Sequence, residues 1–373
     1  MKIIILKNHL KSGLEMISKI GSESSSATLP ILRSFLMETI DNRIKLSMTN
    51  LEIAITCYLP AKVIESGSFV IPFNIFNSII TNLQTERINL ESEENKYLII
   101  KTDNYQAKIQ GNTKSEFPII PQVSNQNFLE FPVVILKKSL SSIISAAQTS
   151  EVRPELNGVL FDFQVSLLKL AATDSFRLAE KNILTTQFKS NIEQGFKIII
   201  PLKTIQEVNR IFKEEDNLIN IYLEPNQILF KTENCEIISR LISGDFPEYQ
   251  SIIPQSFETE IILNKEELIN AIKLTGSFTD KLNEVKLSIK EGIKNIEVSS
   301  FNQVLGENQY LVPAKIKGAS QEIVFNWRFL LDGVKVLDSE DIFLGLNGDN
   351  KPALIKSPND TSYFYILMPI KSS

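Results

Sequence analysis

Apolar positions along this chain follow two rhythms. In six stretches they recur every three to four residues, the spacing of one face of a helix. Leu10, Leu14 and Ile17 mark one stretch, Leu140, Ile143 and Ile144 another, and Ile205, Val208 and Ile211 a third. The predicted helices fall in pairs: residues 7–20, 137–148 and 264–275 are first members, and 72–83, 201–212 and 326–337 second members. Their starts recur about every 125–130 residues, the mark of an internal repeat. Pro72 and Pro201 stand in the first turns of their helices, where a missing N–H costs nothing.

Short alternating runs lie between and after the helices. They predict strands at 43–48, 53–59, 87–91, 97–101 and 105–110 in the first repeat. In the second they fall at 156–163, 167–172, 218–223, 227–231 and 236–242, and in the third at 285–289, 295–299, 342–346, 353–355 and 363–368. Each repeat reads strand, helix, three strands, twice over. The predicted fold is α+β, with two helices packed on antiparallel sheet in each repeat. Proline-marked segments, Phe117-Pro118-Ile119-Ile120-Pro121 and Phe246-Pro247 through Pro254, close the first two repeats. Domains are expected at 1–122, 123–254 and 255–373, and a polar loop at 22–26.

One hairpin stands out. Ala172-Thr173-Asp174-Ser175-Phe176-Arg177-Leu178 joins two strand-like runs, and Thr and Asp are turn formers because their side chains bond back to the local backbone. Thr49-Asn50-Leu51-Glu52-Ile53 has the same shape in the first repeat, and Ser300-Phe301-Asn302-Gln303-Val304 holds the place in the third.

Composition changes this picture little. Apolar content of 43% and charged content of 22% suit a folded chain with a large core, and no apolar run nears 18 residues, so no membrane span is predicted. The first seven residues have too short an apolar core for a signal peptide and read as a first strand. Cys57 and Cys235, in different repeats, read most simply as free buried thiols of an intracellular protein. A single histidine, His9, and the lack of phosphate-loop, nucleophile-elbow or metal-cluster motifs argue against an enzyme, a metal or a cofactor. Asp174 with Arg177 reads as a turn-capping aspartate with a structural arginine rather than a catalytic pair. The net charge of −5 opposes nucleic-acid binding, yet the predicted helices carry the lysines.

The central hairpin, read with Leu156-Asn157-Gly158-Val159-Leu160-Phe161, resembles the signature of the bacterial sliding clamp family, the β subunit of DNA polymerase III. Thr28-Leu29-Pro30-Ile31-Leu32, Gly244-Asp245-Phe246-Pro247-Glu248-Tyr249, Ile252-Ile253-Pro254 and Met368-Pro369-Ile370-Lys371 match the same family in order along the chain. The resemblance implies three clamp domains that dimerise head to tail into a six-domain ring around duplex DNA, held without regard to sequence. The rim strand with Ala107 and Ile109 would meet a strand of the third domain near 303–312. Helix cations Lys7, Lys11, Lys137, Lys138, Lys203, Arg210, Lys265, Lys273 and Arg328 would face the phosphates.

A cleft would take a short peptide from the polymerase's catalytic subunit, the clamp loader, repair polymerases and mismatch-repair proteins. Its implied walls are Leu156, Thr173, Arg177, Leu178, Pro247, Ile252, Ile366, Leu367, Met368, Pro369 and Ile370. Leu178 and Met368 would share one exposed pocket. Ser175-Phe176, where the family often has Gly-His, and Ser251, where it often has arginine, depart from the pattern, as do Ser372 and Ser373 beyond its usual end. The implied role is a non-catalytic processivity factor in the bacterial cytoplasm, at replication forks. A scaffold of the same repeats without ring closure is the rival from another class, and a hydrolase using Asp174 and Glu180 is a second.

Overall fold

The computed structural model describes residues 1–23, 29–93, 96–124, 126–148 and 152–371. Thr28, most of the expected 22–26 loop, Ser372 and Ser373 lie outside the described residues.

The first repeat runs β1 (Lys2–Leu6), α1 (Lys7–Glu23), β2 (Ser34–Ile40), β3 (Arg43–Thr49), β4 (Ile53–Pro60), β5 (Lys62–Glu65), β6 (Ser68–Pro72), α2 (Phe73–Asn82), β7 (Arg87–Glu93), β8 (Tyr97–Lys101) and β9 (Gln106–Gln110). The second runs β10 (Phe128–Pro132), α3 (Val133–Ile144), β11 (Gly158–Phe163), β12 (Leu167–Thr173), β13 (Arg177–Leu184), β14 (Lys189–Ser190), β15 (Phe196–Pro201), α4 (Leu202–Ile211), β16 (Leu218–Glu224), β17 (Gln227–Lys231) and β18 (Cys235–Arg240). The third runs β19 (Thr259–Asn264), α5 (Lys265–Gly276), β20 (Glu284–Ile289), β21 (Asn295–Asn302), β22 (Gly306–Gly318), β23 (Gln321–Asn326), α6 (Trp327–Lys335), β24 (Asp341–Leu346), β25 (Ala353–Lys356) and β26 (Tyr363–Leu367).

The chain forms two compact units. The first, Met1–Val133 with Lys189–Asn191 and Arg210–Leu241, holds two antiparallel sheets. One has the order β5-β1-β7-β8-β9, the other β14-β10-β16-β17-β18-β4-β3-β2-β6. The second unit, Val134–Phe188 with Ile192–Asn209 and Ile242 onward, holds one sheet of twelve strands, β15-β11-β12-β13-β26-β25-β24-β19-β22-β21-β20-β23.

Helical stripes and strand alternation bury the cores. Leu10, Leu14 and Ile17 of α1 are fully buried, and α1 packs on β3, β4 and α2. In the second unit, Leu268, Ala271 and Ile272 of α5 are fully buried, and α5 packs on α6 and on strands of the third repeat. Each such helix follows its strand without a loop, so the corner must be made by one residue. Pro72, Pro132 and Pro201 end β6, β10 and β15 and sit just before the helices; for Pro72 and Pro201 this is one residue outside the first turn that the spacing suggested. Proline ends the ladder by withholding a donor and presets φ for the bend. The third repeat uses asparagine instead. Asn264 accepts from Glu267 N–H, and Asn326 from Arg328 and Phe329 N–H, capping α5 and α6.

Helix α3 begins at Val133, four residues before the expected start at Lys137, and ends at Ile144 rather than Gln148. Its opening Val133-Val134-Ile135 has strand-like propensity, but Val133, Leu136, Leu140 and Ile143 form a buried helical stripe, and packing overrides propensity. The third repeat has one strand fewer than the others. Its β22 pairs with β21 through Pro313 and then continues along β19, with no break. In the first repeat the same path is divided: β4 stops at Pro60, and β5 pairs separately with β1.

Candidate functional site

The 173–177 hairpin is built from its own side chains. Thr173 Oγ1 donates to the Arg177 carbonyl at 2.7 Å and accepts from Ser175 N–H. Asp174 Oδ1 accepts from the N–H groups of Phe176 and Arg177, both at 2.9 Å. Ser175 is thereby held at φ 76°. The first repeat makes the same turn. Thr49 bonds Ile53 O and Leu51 N, Asn50 accepts from Glu52 and Ile53 N–H, and Leu51 has φ 77°. In the third, Asn302 accepts from Val304 and Leu305 N–H, with Phe301 in the threonine's place.

Arg177 sets the second turn apart. Its guanidinium meets Asp174 at 2.9 Å and Asp332 of α6 at 2.7 Å, and lies 4.0 Å over the Phe329 ring. Burial works against its charge, but Tyr365, Asp332 and Asp174 together hold its pKa above the ordinary value. The pair predicted from sequence is therefore a structural clamp that ties the hairpin to α6. Glu180, on β13, is buried and accepts from the Tyr249 hydroxyl at 2.6 Å and from the Asn182 amide at 3.1 Å. The same contact, after burial, holds the Tyr249 phenol well above its usual range.

Strand β13 pairs with β26, Arg177 opposite Leu367 and Leu178 opposite Ile366. Leu178, Ile366, Tyr249, Leu160, Ala171 and Leu354 form one buried cluster, flanked by half-buried Phe246 and Ile253. Beyond β26, Met368 N–H bonds the Phe176 carbonyl at 2.9 Å and Ile370 N–H the Val324 carbonyl at 2.8 Å.

This corrects the expectation of an exposed pocket at Leu178. Leu156, Thr173, Leu178, Ile366 and Leu367 are all buried, and Leu178 and Ile366 join one core cluster where β13 pairs with β26. Arg177, Pro247, Met368, Pro369 and Ile370 are half-buried, and Ile252 is exposed. The accessible rim also includes Phe176, 60% exposed. Sequence reasoning noted it only as a departure from a family pattern; a large aromatic at the tip of a polar turn was the usable signal.

The helix cations divide by partner. Lys7 Nζ donates to the Leu83 carbonyl and Lys265 Nζ to the Leu337 carbonyl at 2.7 Å, each closing the end of its companion helix. Arg210 donates to the Glu15 and Met16 carbonyls of α1 at 2.9 and 2.6 Å. These three are held by backbone, which sequence spacing could not reveal. Lys138 pairs with Asp338 at 2.6 Å, and Lys11 lies 3.9 Å from Glu15. Arg328 lies over the Trp327 ring, and Lys137, Lys203 and Lys273 lie on α3, α4 and α5.

The expected rim strand is present as β9, in register with β8. Ile109 is buried against its own sheet's core opposite Leu98 and is not an outward edge residue; Ala107 is half-buried. The alternation that made this run look like a strand also turns its apolar side inward. Around the start of β22, by contrast, Phe301, Val304, Leu305 and Leu311 are all more than half exposed.

A repeat of this kind, doubled within itself and made three times over, is the architecture of the DNA sliding clamps. Family models of the DNA polymerase III beta subunit match in order: the N-terminal domain over residues 1–121, the central domain over 130–248 and the C-terminal domain over 250–371. The chain belongs to the DNA polymerase III beta subunit family. A curated relative, the beta sliding clamp of Bacillus subtilis (strain 168), is 29% identical, with all of both chains covered. The solved sliding clamp from Bacillus subtilis superposes with a TM-score of 0.93 at 29% identity, over all of both chains. The DNA polymerase III beta subunit from Thermotoga maritima gives 0.89 at 26%, again over all of both chains. No helix among the described residues is long and apolar enough to cross a membrane.

Proposed function

We propose that this chain is a DNA sliding clamp for DNA polymerase III, acting as two copies joined head to tail around duplex DNA. One observation carries the reading. At both internal junctions, the last strand of a repeat pairs with the third strand after the first helix of the preceding repeat: β18 on β4, and β26 on β13. Continued by one step, the rule requires β9 to pair with the first part of β22. Among the described residues, β9 pairs only with β8, and residues 306–313 of β22 only with β21. A second copy supplies both missing neighbours. Exposed Phe301, Val304, Leu305 and Leu311 give that edge an apolar border. Domains at 1–122, 123–254 and 255–373 follow from the same repeat.

The clamp has no catalytic role of its own; it raises the polymerase's effective concentration at the template by encircling DNA. Lys11, Lys137, Lys138, Lys203, Lys273 and Arg328 supply sequence-independent phosphate contact, with Lys7, Lys265 and Arg210 adding charge from their tethered positions. Peptide segments of the polymerase, the clamp loader and repair proteins dock on the rim formed by Phe176, Arg177, Pro247, Met368, Pro369 and Ile370, over the Leu178–Ile366 core. Such a protein works in the cytoplasm, at replication forks.

Solution mass and DNA retention test the reading together. The chain should run at twice its 42.2 kDa mass, and Leu305→Asp with Phe301→Asp should return it to 42.2 kDa with unchanged melting. These residues are exposed in the single chain, so a lost dimer is not confused with lost folding. Loaded clamp should stay on circular DNA at high salt and leave linear DNA by its ends. Equal loss from both, or a monomer at every concentration, overturns the ring.

A further inference from the structure

Cys57 of β4 and Cys235 of β18 lie directly opposite each other, a relation invisible in a sequence where roughly 180 residues separate them. Tyr58 N–H donates to the Asn234 carbonyl and Arg240 N–H to the Glu52 carbonyl, both at 2.9 Å. Hydrogen-bonded pairs therefore fall at 58–234 and, by alternation, at 56–236, 54–238 and 52–240. The two cysteines occupy the non-hydrogen-bonded site between such pairs. There α-carbons approach to about 4.5 Å and side chains leave the same face of the sheet. Disulfides span α-carbon separations of about 4.4–6.8 Å, so a bridge fits with little backbone movement. Both thiols are buried and unbridged, and Cys57 Sγ lies 3.7 Å from the Gly13 carbonyl.

We propose that Cys57 and Cys235 are a modification site: on meeting a small-molecule disulfide they form a cross-strand bridge that fastens β4 to β18. The exchange balances. One thiolate attacks the small disulfide, making a mixed disulfide and releasing one small thiol. The opposing cysteine attacks the bound sulfur, making the Cys57–Cys235 bond and releasing the second small thiol. Two electrons pass to the reagent, and its two sulfurs leave as thiols with the two protons.

Access governs the rate. Burial removes both sulfurs from the reagent and pushes the Cys57 thiol up to about 12, with Cys235 shifted the same way. The folded junction is thus inert, and reaction waits for β4 and β18 to part. Once closed, the bridge spans a long loop and restricts the unfolded chain, which favours the folded state.

The test uses the full chain with oxidised glutathione, in buffer and in urea below the unfolding midpoint, followed by acid quench, alkylation and mass spectrometry. Both thiols should survive in buffer. In urea the chain should lose two hydrogens and yield a peptide pair linking Cys57 to Cys235. After urea is removed, this form should melt several degrees above the reduced one. Cys57→Ser and Cys235→Ser should each instead retain glutathione on the remaining cysteine. Stable glutathione on both wild-type cysteines, chain-to-chain crosslinks, or a bridged form that melts lower would overturn the proposal.

Discussion

Two junctions in this chain are drawn to one plan and filled with opposite chemistry. In the first unit β4 meets β18; in the second β13 meets β26. Both begin at a Thr–Asx turn with a residue held at positive φ. Four positions beyond Ile53 and Arg177, which hold the same place after their turns, Cys57 faces Cys235 in one junction and Lys181 faces Tyr363 in the other. In the first, Ile53, Cys57 and Cys235 are uncharged and all buried. The second is wired to its surroundings. Arg177 reaches Asp332, Lys181 bonds Ser362 at 2.6 Å, and the Tyr363 hydroxyl donates to the Ser142 carbonyl at 3.1 Å. The local turn code thus fixes the backbone path alone. What the junction does depends on which side chains the path delivers.

The sharpest way to break this contrast is Arg177→Ala. It leaves the Asp174 carboxylate buried without its cation and should cost about 3–5 kcal/mol in denaturant unfolding. Ile53→Ala, at the matching place, removes only apolar contact and should cost about 2–4 kcal/mol. A smaller loss at Arg177 than at Ile53 would mean that the ion pairs contribute little.

Met368→Ala sharpens it next. Met368 is half-buried beside the charged junction, so peptide binding should weaken by about 1–3 kcal/mol while melting changes little. Calorimetric titration with a short apolar-anchored peptide checks this, and a large fall in melting temperature with intact binding would make Met368 plain core.

The third effect depends on pH. Cys57 has a folded pKa of about 12 against an ordinary 9.0, so the fold prefers the neutral thiol. That stabilisation is complete below pH 9 and declines between 9 and 12, by at most about 1.4 kcal/mol per pH unit for one group. Tyr363 is shifted the same way from 10.0, so the second junction should begin to weaken about a unit later. Cys235 is shifted the same way, so unfolding titrations at pH 8 to 10.5 should show the early slope in the wild type, a shallower one in Cys57→Ala, and none in the Cys57→Ala, Cys235→Ala double variant.

The smallest change is Leu51→Gly or Ser175→Gly. Each relieves a positive-φ position, and each should be neutral or stabilise by about 0.5 kcal/mol, equally in the two turns. Unequal values would show that the turns differ in strain after all.

Much of this was legible in the chain. Helical spacing located all six helices among the described residues, since each carries a buried stripe of regular period. The turn echo was legible because Thr49, Asn50, Thr173 and Asp174 act on their own backbone. What escaped was whatever pairing decides. Of the strands that feed a helix, β1 was read, but β6, β10, β15, β19 and β23 were not picked out. Leu178 and Ile109 read as surface because strand alternation does not say which face a neighbour covers. Lys7, Lys265 and Arg210 read as free cations because the carbonyls that hold them come from distant segments.

The unbroken course of β22 has a mechanical consequence. A strand that serves two partners in succession acts as a splint, so bending between β21 and β19 would require several ladder hydrogen bonds to stretch together. In the first repeat, the path from β4 to β5 passes through Pro60 and Ala61, and the two strands belong to separate sheets. Elastic compliance should therefore gather at that proline corner, and stiffness along β22. A protein that carries load along its edges would then flex at one end of its chain and resist at the other.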